Sequence, residues 1–245
     1  MVNVTQHEPP GAVRDAAAMD IFRDQWELYG KFLKYDYLAN TGAYAGLHRF
    51  LMDDIARPFR FVDLACGDAS GIVTALAGTA INHYRGVDLA EPALALAQRN
   101  LEALPCQVEL EHADFCTAMR KQPRPDDIVW ISLSLHHLHA ADKLALMREV
   151  RAGIEPRGAF LVYEPTRRDG EDRAGYLDRF EDIGRREWTA LTPDELEEGM
   201  KHVRTCDLPE TVSDWHMLGR EAGFSETAEV YKARSDLFRM FLYRP

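Results

Sequence analysis

Three acidic residues stand where apolar runs end. Asp63 closes the run from Arg60, Asp88 closes the run from Asn82, and Asp114 closes the run from Gln107, with Phe115 directly after it. An acid ending a second strand is placed to accept hydrogen bonds from both hydroxyls of a ribose. An acid beside an aromatic ring suits an adenine, the carboxylate near the exocyclic amine and the ring against its face. Between Asp63 and the helical stretch at Ile72 lies a loop of mostly small residues, with Ala65, Gly67 and Ala69 leaving room for a ligand to approach the backbone. Unpaired N–H groups and a positive dipole at the following helix start favour a carboxylate, ribose or phosphate there. Alone, that loop is equally a plain packing turn; three strand-end acids in order make the ligand reading the stronger one. The pair His136-His137 follows a fourth apolar run. Imidazoles titrate near neutral pH and can act as a general base.

These residues need strands that end side by side, and the chain supplies them. Runs at 60–64, 82–88, 107–114, 127–135 and 159–164 read as strands, the fourth nearly continuous in apolar residues as a central parallel strand would be. Helical patterns separate them. Glu91-Pro92 opens a helix with a stripe at Leu94, Ala97 and Leu101, and a further helix carries Leu144, Met147, Val150 and Ile154 before stopping at Glu155 to Gly158. Pro123 and Pro125 mark a loop. Strands alternating with helices predict a doubly wound α/β sheet.

Before this core, residues 1 to about 15 read as a frayed arm, and Ala16 to Ala56 as two helices interrupted at Asn40-Thr41-Gly42. Phe22, Trp26 and Tyr29 begin the stripe of the first, and Leu47, Phe50, Leu51 and Ile55 that of the second. The rings here pack the helices onto the core, and Tyr29, Tyr35, Tyr37 or Tyr44 is also a candidate lining for a substrate pocket. After the fifth strand a charged stretch with a stripe at Leu177, Phe180 and Ile183 reads as inserted helices, with a capping box at Thr192-Pro193-Asp194-Glu195. The tail reads as a helix from Trp215 to Ala222 and a closing antiparallel pair, 226–234 and 237–243. Four units follow: an arm and helical cap at 1–57, a core at 58–164, a helical insertion at 165–212, and the last helix and strand pair at 213–245.

A net charge of −11 over 245 residues disfavours a nucleic-acid partner, which needs a basic face. Cys66, Cys106, Cys116 and Cys206 are scattered, so neither a disulfide framework nor a zinc motif is suggested, and reduced thiols in a cytoplasmic protein are expected. No metal is expected, since His48, His83 and His202 form no ligand pattern. No stretch reaches the roughly 18 apolar residues of a membrane span. The oligomeric state is left open.

Together, Val62 to Ser70, Gly86-Val87-Asp88-Leu89, Ala113-Asp114-Phe115, Asp127 to Leu138 and Gly223-Phe224 resemble the class I S-adenosylmethionine-dependent methyltransferases. The resemblance covers 58–164 well and 213–245 moderately. It implies a Rossmann-like, mostly parallel seven-stranded sheet whose last strand is antiparallel, S-adenosyl-L-methionine as cofactor and S-adenosyl-L-homocysteine as product. Position by position, it implies that Asp63 and the backbone of Ala65, Cys66 and Gly67 hold the methionine part, and that Asp88, with Leu89 beside it, binds the ribose. Asp114 and Phe115 would flank the adenine, and Ser132 and Leu133 would pass near the sulfonium. His136 and His137 would face the methyl group as candidate bases.

On the rim, Glu164 is a candidate substrate contact, as are Tyr29, Tyr37 and Arg167. The acceptor is expected to be a small molecule. The family usually has glycine where this chain has Ala65 and Ala69, which motivates an alternative, a non-catalytic sensor or partner subunit binding the cofactor or its product. A macromolecular acceptor is weakened by the acidic charge, and a dinucleotide enzyme by the missing G-x-G-x-x-G.

Overall fold

The structure, a computed structural model, describes residues 26–120 and 125–245. The expected N-terminal arm, Phe22 and Pro123 lie outside the described residues, as do the side chains of Trp26 and Tyr29.

Five strands, β1 (Phe59–Leu64), β2 (Ile81–Asp88), β3 (Gln107–His112), β4 (Asp126–Ser132) and β5 (Ile154–Arg167), run parallel. The sheet closes with β7 (Glu226–Lys232) and β8 (Phe238–Arg244) in the order β3-β2-β1-β4-β5-β8-β7, where β8 lies antiparallel to both β5 and β7. This is the expected mostly parallel sheet with an antiparallel last strand. A two-residue strand unforeseen in the sequence, β6 (Glu210–Thr211), pairs parallel with the end of β5 at Thr166 and Arg167. It ties the end of the insertion back to the sheet.

Alternation along each strand sorts the core into two layers. Phe59 and Phe61 of β1, Ile128 and Trp130 of β4, and Leu161 and Tyr163 of β5 face one layer. Against it pack α2 (Asn40–Asp54), α3 (Ser70–Leu76), α4 (Glu91–Asn100), α7 (Arg173–Glu187) and α8 (Pro193–Cys206). Val62 and Leu64, Val129 and Ile131, and Phe160 and Val162 face the other layer, with α5 (Phe115–Arg120), α6 (Ala140–Ala152) and α9 (Val212–Glu221). By this parity Asp63 points toward the first layer and Glu164 toward the second.

The cap begins with α1 (Trp26–Lys34). Asn40-Thr41-Gly42, expected to interrupt the helices, instead opens α2. The break falls just before it: Asp36 and Ala39 both adopt φ of 53°, and the Asp36 carboxylate accepts the Thr41 N–H at 3.0 Å. An Asp that satisfies an unpaired helix-start N–H makes this a start signal. In the insertion, Thr192 and Glu195 form the expected reciprocal capping box of α8. A second box, Thr211 with Asp214, starts α9. No helix among the described residues is long and apolar enough to cross a membrane.

Candidate functional site

A cavity of about 880 Å³ opens at the carboxyl ends of β1, β2 and β4, under a roof made by α1, α2, α7 and α8. Ligands of open α/β sheets bind at such strand ends.

The loop after β1 forms its floor. Ala65, Gly67 and Ala69 alternate into left-handed backbone at φ of 56°, 55° and 55°. A glycine takes this conformation freely; each alanine bears roughly 1–2 kcal/mol of strain there. Two bonds hold the loop to β2: the Cys66 N–H donates to Val87 O at 3.1 Å, and the Gly67 N–H to Asp88 Oδ2 at 2.8 Å. The other Asp88 oxygen accepts the Ala90 N–H at 2.8 Å. Asp88 thus joins the loop after β1 to the start of α4, and a carboxylate with about four acceptor sites retains capacity for hydroxyl donors. Burial raises its pKa, opposed by these backbone bonds.

Asp63 is buried and accepts the Tyr84 hydroxyl at 2.7 Å. Burial pushes its pKa up to about 7; the Tyr84 bond opposes the rise and the nearby Asp88 adds to it. Burial and the Asp63 and Asp88 charges keep the Cys66 thiol protonated. Tyr44 leans over the same floor. A Cβ on Gly71 would lie 2.3 Å from its ring, so only glycine allows α2 to approach α3 this closely.

At the other end, Ser132, Leu133 and Ser134 lead into a short 3-10 turn, Leu135–His137. Leu133 is left-handed, with φ of 51°. Glu164 anchors this turn from below. It accepts the N–H groups of Ser134, Leu135 and His136 at 2.9, 2.8 and 3.3 Å, and His136 Nδ1 donates to it at 2.5 Å. Burial lifts the Glu164 pKa to about 7, opposed by the Ser134 and Leu135 bonds. Burial holds both His136 and His137 well below the ordinary histidine pKa, as neutral rings. His202 of α8 and Asp207, just past that helix, complete this wall.

Asp63, Ala65, Cys66, Gly67, Asp88, Leu89, Phe115, Ser132, Leu133, His136 and His137 all line the cavity. Asp114 does not; its Oδ1 caps the start of α5 by accepting the Thr117 N–H at 2.8 Å. Three rim candidates are corrected. Glu164 is fully buried on the opposite layer, because strand parity turns it away from the cavity. Arg167 is engaged by Pro209 O at 2.8 Å, Glu171 O at 2.6 Å and the Asp214 carboxylate, and does not line the cavity. Tyr37 stacks on Trp188 and accepts the Ala190 N–H, serving as a joint within the roof. Among the tyrosine candidates of that stretch Tyr44 does line the cavity, whereas the Tyr29 side chain lies outside the described residues.

Sequence reasoning missed His202 and Asp207, which reach the wall from the insertion. It also missed the charge of the lining. Asp36, Asp63, Asp68, Asp88 and Asp207 face the cavity, and among the described residues no lysine or arginine does. Phe32, Leu33, Leu38, Phe180, Val203 and Phe238 supply its apolar surface.

Residues 61–158 match the family model described as a methyltransferase domain. No curated protein matches the chain. Among solved structures, the fold is similar to magnesium protoporphyrin IX methyltransferase from Synechocystis PCC 6803 with bound SAH, with a TM-score of 0.64 at 17% identity, covering 95% of this chain and 100% of that one. It is also similar to DhpI in its SAH complex, with a TM-score of 0.63 at 15% identity, covering 97% and 98%. A protein from Bordetella parapertussis described as possibly exported gives a TM-score of 0.59 at 19% identity, covering 82% of this chain and 66% of that one. Several other matched structures are longer still, and the chain spans 51% to 57% of their length.

Proposed function

We propose that this protein, whose residues 61–158 match a methyltransferase-domain model, transfers a methyl group from S-adenosylmethionine to a small, largely apolar acceptor. The observation that carries the reading is the lining: five aspartates and no lysine or arginine among the described residues suit a cationic ligand. S-adenosylmethionine brings a sulfonium and an ammonium, and it supplies the electrophilic methyl group. Neighbouring structures holding SAH support the choice. The volume, near the top of the roughly 300–1,000 Å³ usual for ligand sites, suits a cofactor with an acceptor beside it.

In this reading Asp88 takes the ribose hydroxyls on the acceptor sites its backbone bonds leave over. Phe115 and Leu89 flank the adenine, with Asp114 behind them at the start of α5. Asp63 and the Ala65–Gly67 backbone hold the methionine part, Asp63 facing its ammonium. Ser132 and Leu133 run past the sulfonium. His136 and His137, kept neutral by burial, can take a proton from an acceptor that must lose one. Alignment and exclusion of water are the roof's contribution. With Arg167 turned elsewhere, no cation on the described walls favours an acidic acceptor, and the apolar surface favours a hydrophobic one, aromatic rings included. Scattered, free cysteines fit the cytoplasmic setting.

Calorimetric titration with S-adenosylmethionine and with its demethylated product, using Asp88→Ala as control, tests the cofactor. Micromolar binding that weakens at least a hundredfold in the variant supports the reading, and no heat with either ligand overturns it. Tight binding without transfer to any acceptor pool would favour the sensor alternative, to which the strained Ala65 and Ala69 point.

A further inference from the structure

We propose that His136, His137 and Asp207 form a site for a divalent transition-metal ion at the acceptor end of the cavity, with His202 beside it. Three imidazole nitrogens surround one carboxylate oxygen. Asp207 Oδ1 lies 3.6 Å from His136 Nε2, 3.7 Å from His137 Nδ1 and 3.8 Å from His202 Nε2. All three separations are too long for hydrogen bonds. Asp207 is only 4% exposed, yet among the described residues its Oδ1 has no hydrogen-bond partner, and neither has His137 Nδ1. Leaving such atoms unpaired in the interior is unfavourable. A shared cation would satisfy them together.

The distances suit one ion. Donors about 2.0–2.2 Å from a metal sit roughly 3–3.5 Å from one another, a few tenths of an ångström inside the separations seen around Asp207. The donor atoms of His136, His137 and Asp207 all lie within 4.8 Å of one another. Protonation is also arranged for it. Glu164 accepts from His136 Nδ1, which fixes the proton there and leaves the Nε2 lone pair toward Asp207. A carboxylate behind a ligating histidine is the usual means of orienting it. His137 is hydrogen-bonded to the Cys206 main chain, while its Nδ1 stays without a partner.

Local charge permits a cation. Glu164, Asp207 and Glu210 face Lys143, Arg173 and Arg167, but Lys143 Nζ is already held by Glu210 Oε1 at 2.7 Å and Leu208 O at 2.5 Å, and Arg167 by Pro209 O, Glu171 O and the Asp214 carboxylate. A set rich in imidazole selects zinc, iron, nickel or copper over magnesium or calcium. All four side chains line the cavity, so the ion's open side faces the acceptor. There it would hold and polarise an acceptor oxygen as a Lewis acid; with the ion bound the histidines act as its ligands, and without it they stay free to take the acceptor's proton.

The site stands on these side chains and not on the cofactor reading, so its test is run without S-adenosylmethionine. Chelator-stripped protein is titrated with Co2+ and followed by visible absorption, then back-titrated with Zn2+. The expected result is a set of d–d bands that saturates at one ion per chain and is displaced by zinc. Asp207→Asn and His137→Gln should each weaken uptake at least about tenfold. No bands in the wild type, or bands that survive both substitutions, which would mean an adventitious ion only, overturn the proposal. If circular dichroism shows Asp207→Asn unfolded, His137→Gln decides, since that side chain is 15% exposed.

Discussion

The ends of β1 and β5 carry the same kind of group and use it in opposite ways. Asp63 faces the cavity with one hydroxyl partner, while Glu164 faces the opposite layer and is saturated by three backbone N–H groups and an imidazole. A strand-end acid is therefore a ligand group or a structural anchor according to which side of the pleat it occupies. One position along the strand decides it.

The largest effect that separates the two is on stability. Glu164→Ala leaves several buried donors without an acceptor, and at about 1–3 kcal/mol for such losses it should cost roughly 3 kcal/mol. Asp63→Asn, which keeps a partner for Tyr84, should cost about 1 kcal/mol or less. Urea denaturation of both variants measures the gap; equal losses would erase the distinction.

Next in size is the pH dependence of ligand binding. With its pKa near 7, Asp63 must lose a proton to face a cation, so affinity for S-adenosylmethionine should fall about tenfold per pH unit below 7. In the free protein the sign reverses. The folded state binds the proton more tightly than the unfolded one, so the Asp63 contribution favours folding at pH 4 and is lost as pH rises toward 7. Titrations at pH 5, 6 and 7 with Asp63→Asn, which should flatten both profiles, test the pair of trends.

The smallest effect lies in the loop. Ala69→Gly removes left-handed strain but adds backbone entropy to the unfolded chain, for a net gain of roughly 0.5–1 kcal/mol. The same change at Ala77, which is extended at φ of −60°, should gain nothing. Thermal unfolding of the two variants compares them.

Much of this was legible in the sequence because local rules wrote it. Apolar runs ending in Asp63, Asp88 and Asp114, small residues after the first, and a capping box at Thr192 each state their place without reference to distant residues. Glu164 was misread because residue type marks a strand end but not its face. Arg167 and Tyr37 were misread because their partners, Pro209 and Trp188, lie in the insertion. Asp207 could have been suspected only from its position beside the helix end, and its meeting with His136 depends on β6 and on the bond from the Leu208 N–H to His136 O at 2.7 Å. Asn40-Thr41-Gly42 reads as a breaker because Asp36, whose carboxylate accepts the Thr41 N–H, sits on the far side of the turn.

The contact between Tyr37 and Trp188 has a kinetic meaning. Their rings stack at 5.5 Å, Phe32 meets Trp188 edge-on at 5.3 Å, and Lys31 bonds Glu195 across the same line at 2.5 Å. Two segments far apart in the chain are therefore sewn along one aromatic seam above the cavity. A ligand that leaves through this part of the roof must part that seam. Turnover would then be set by how often two rings separate, and a weaker seam would trade retention of the ligand for speed of release.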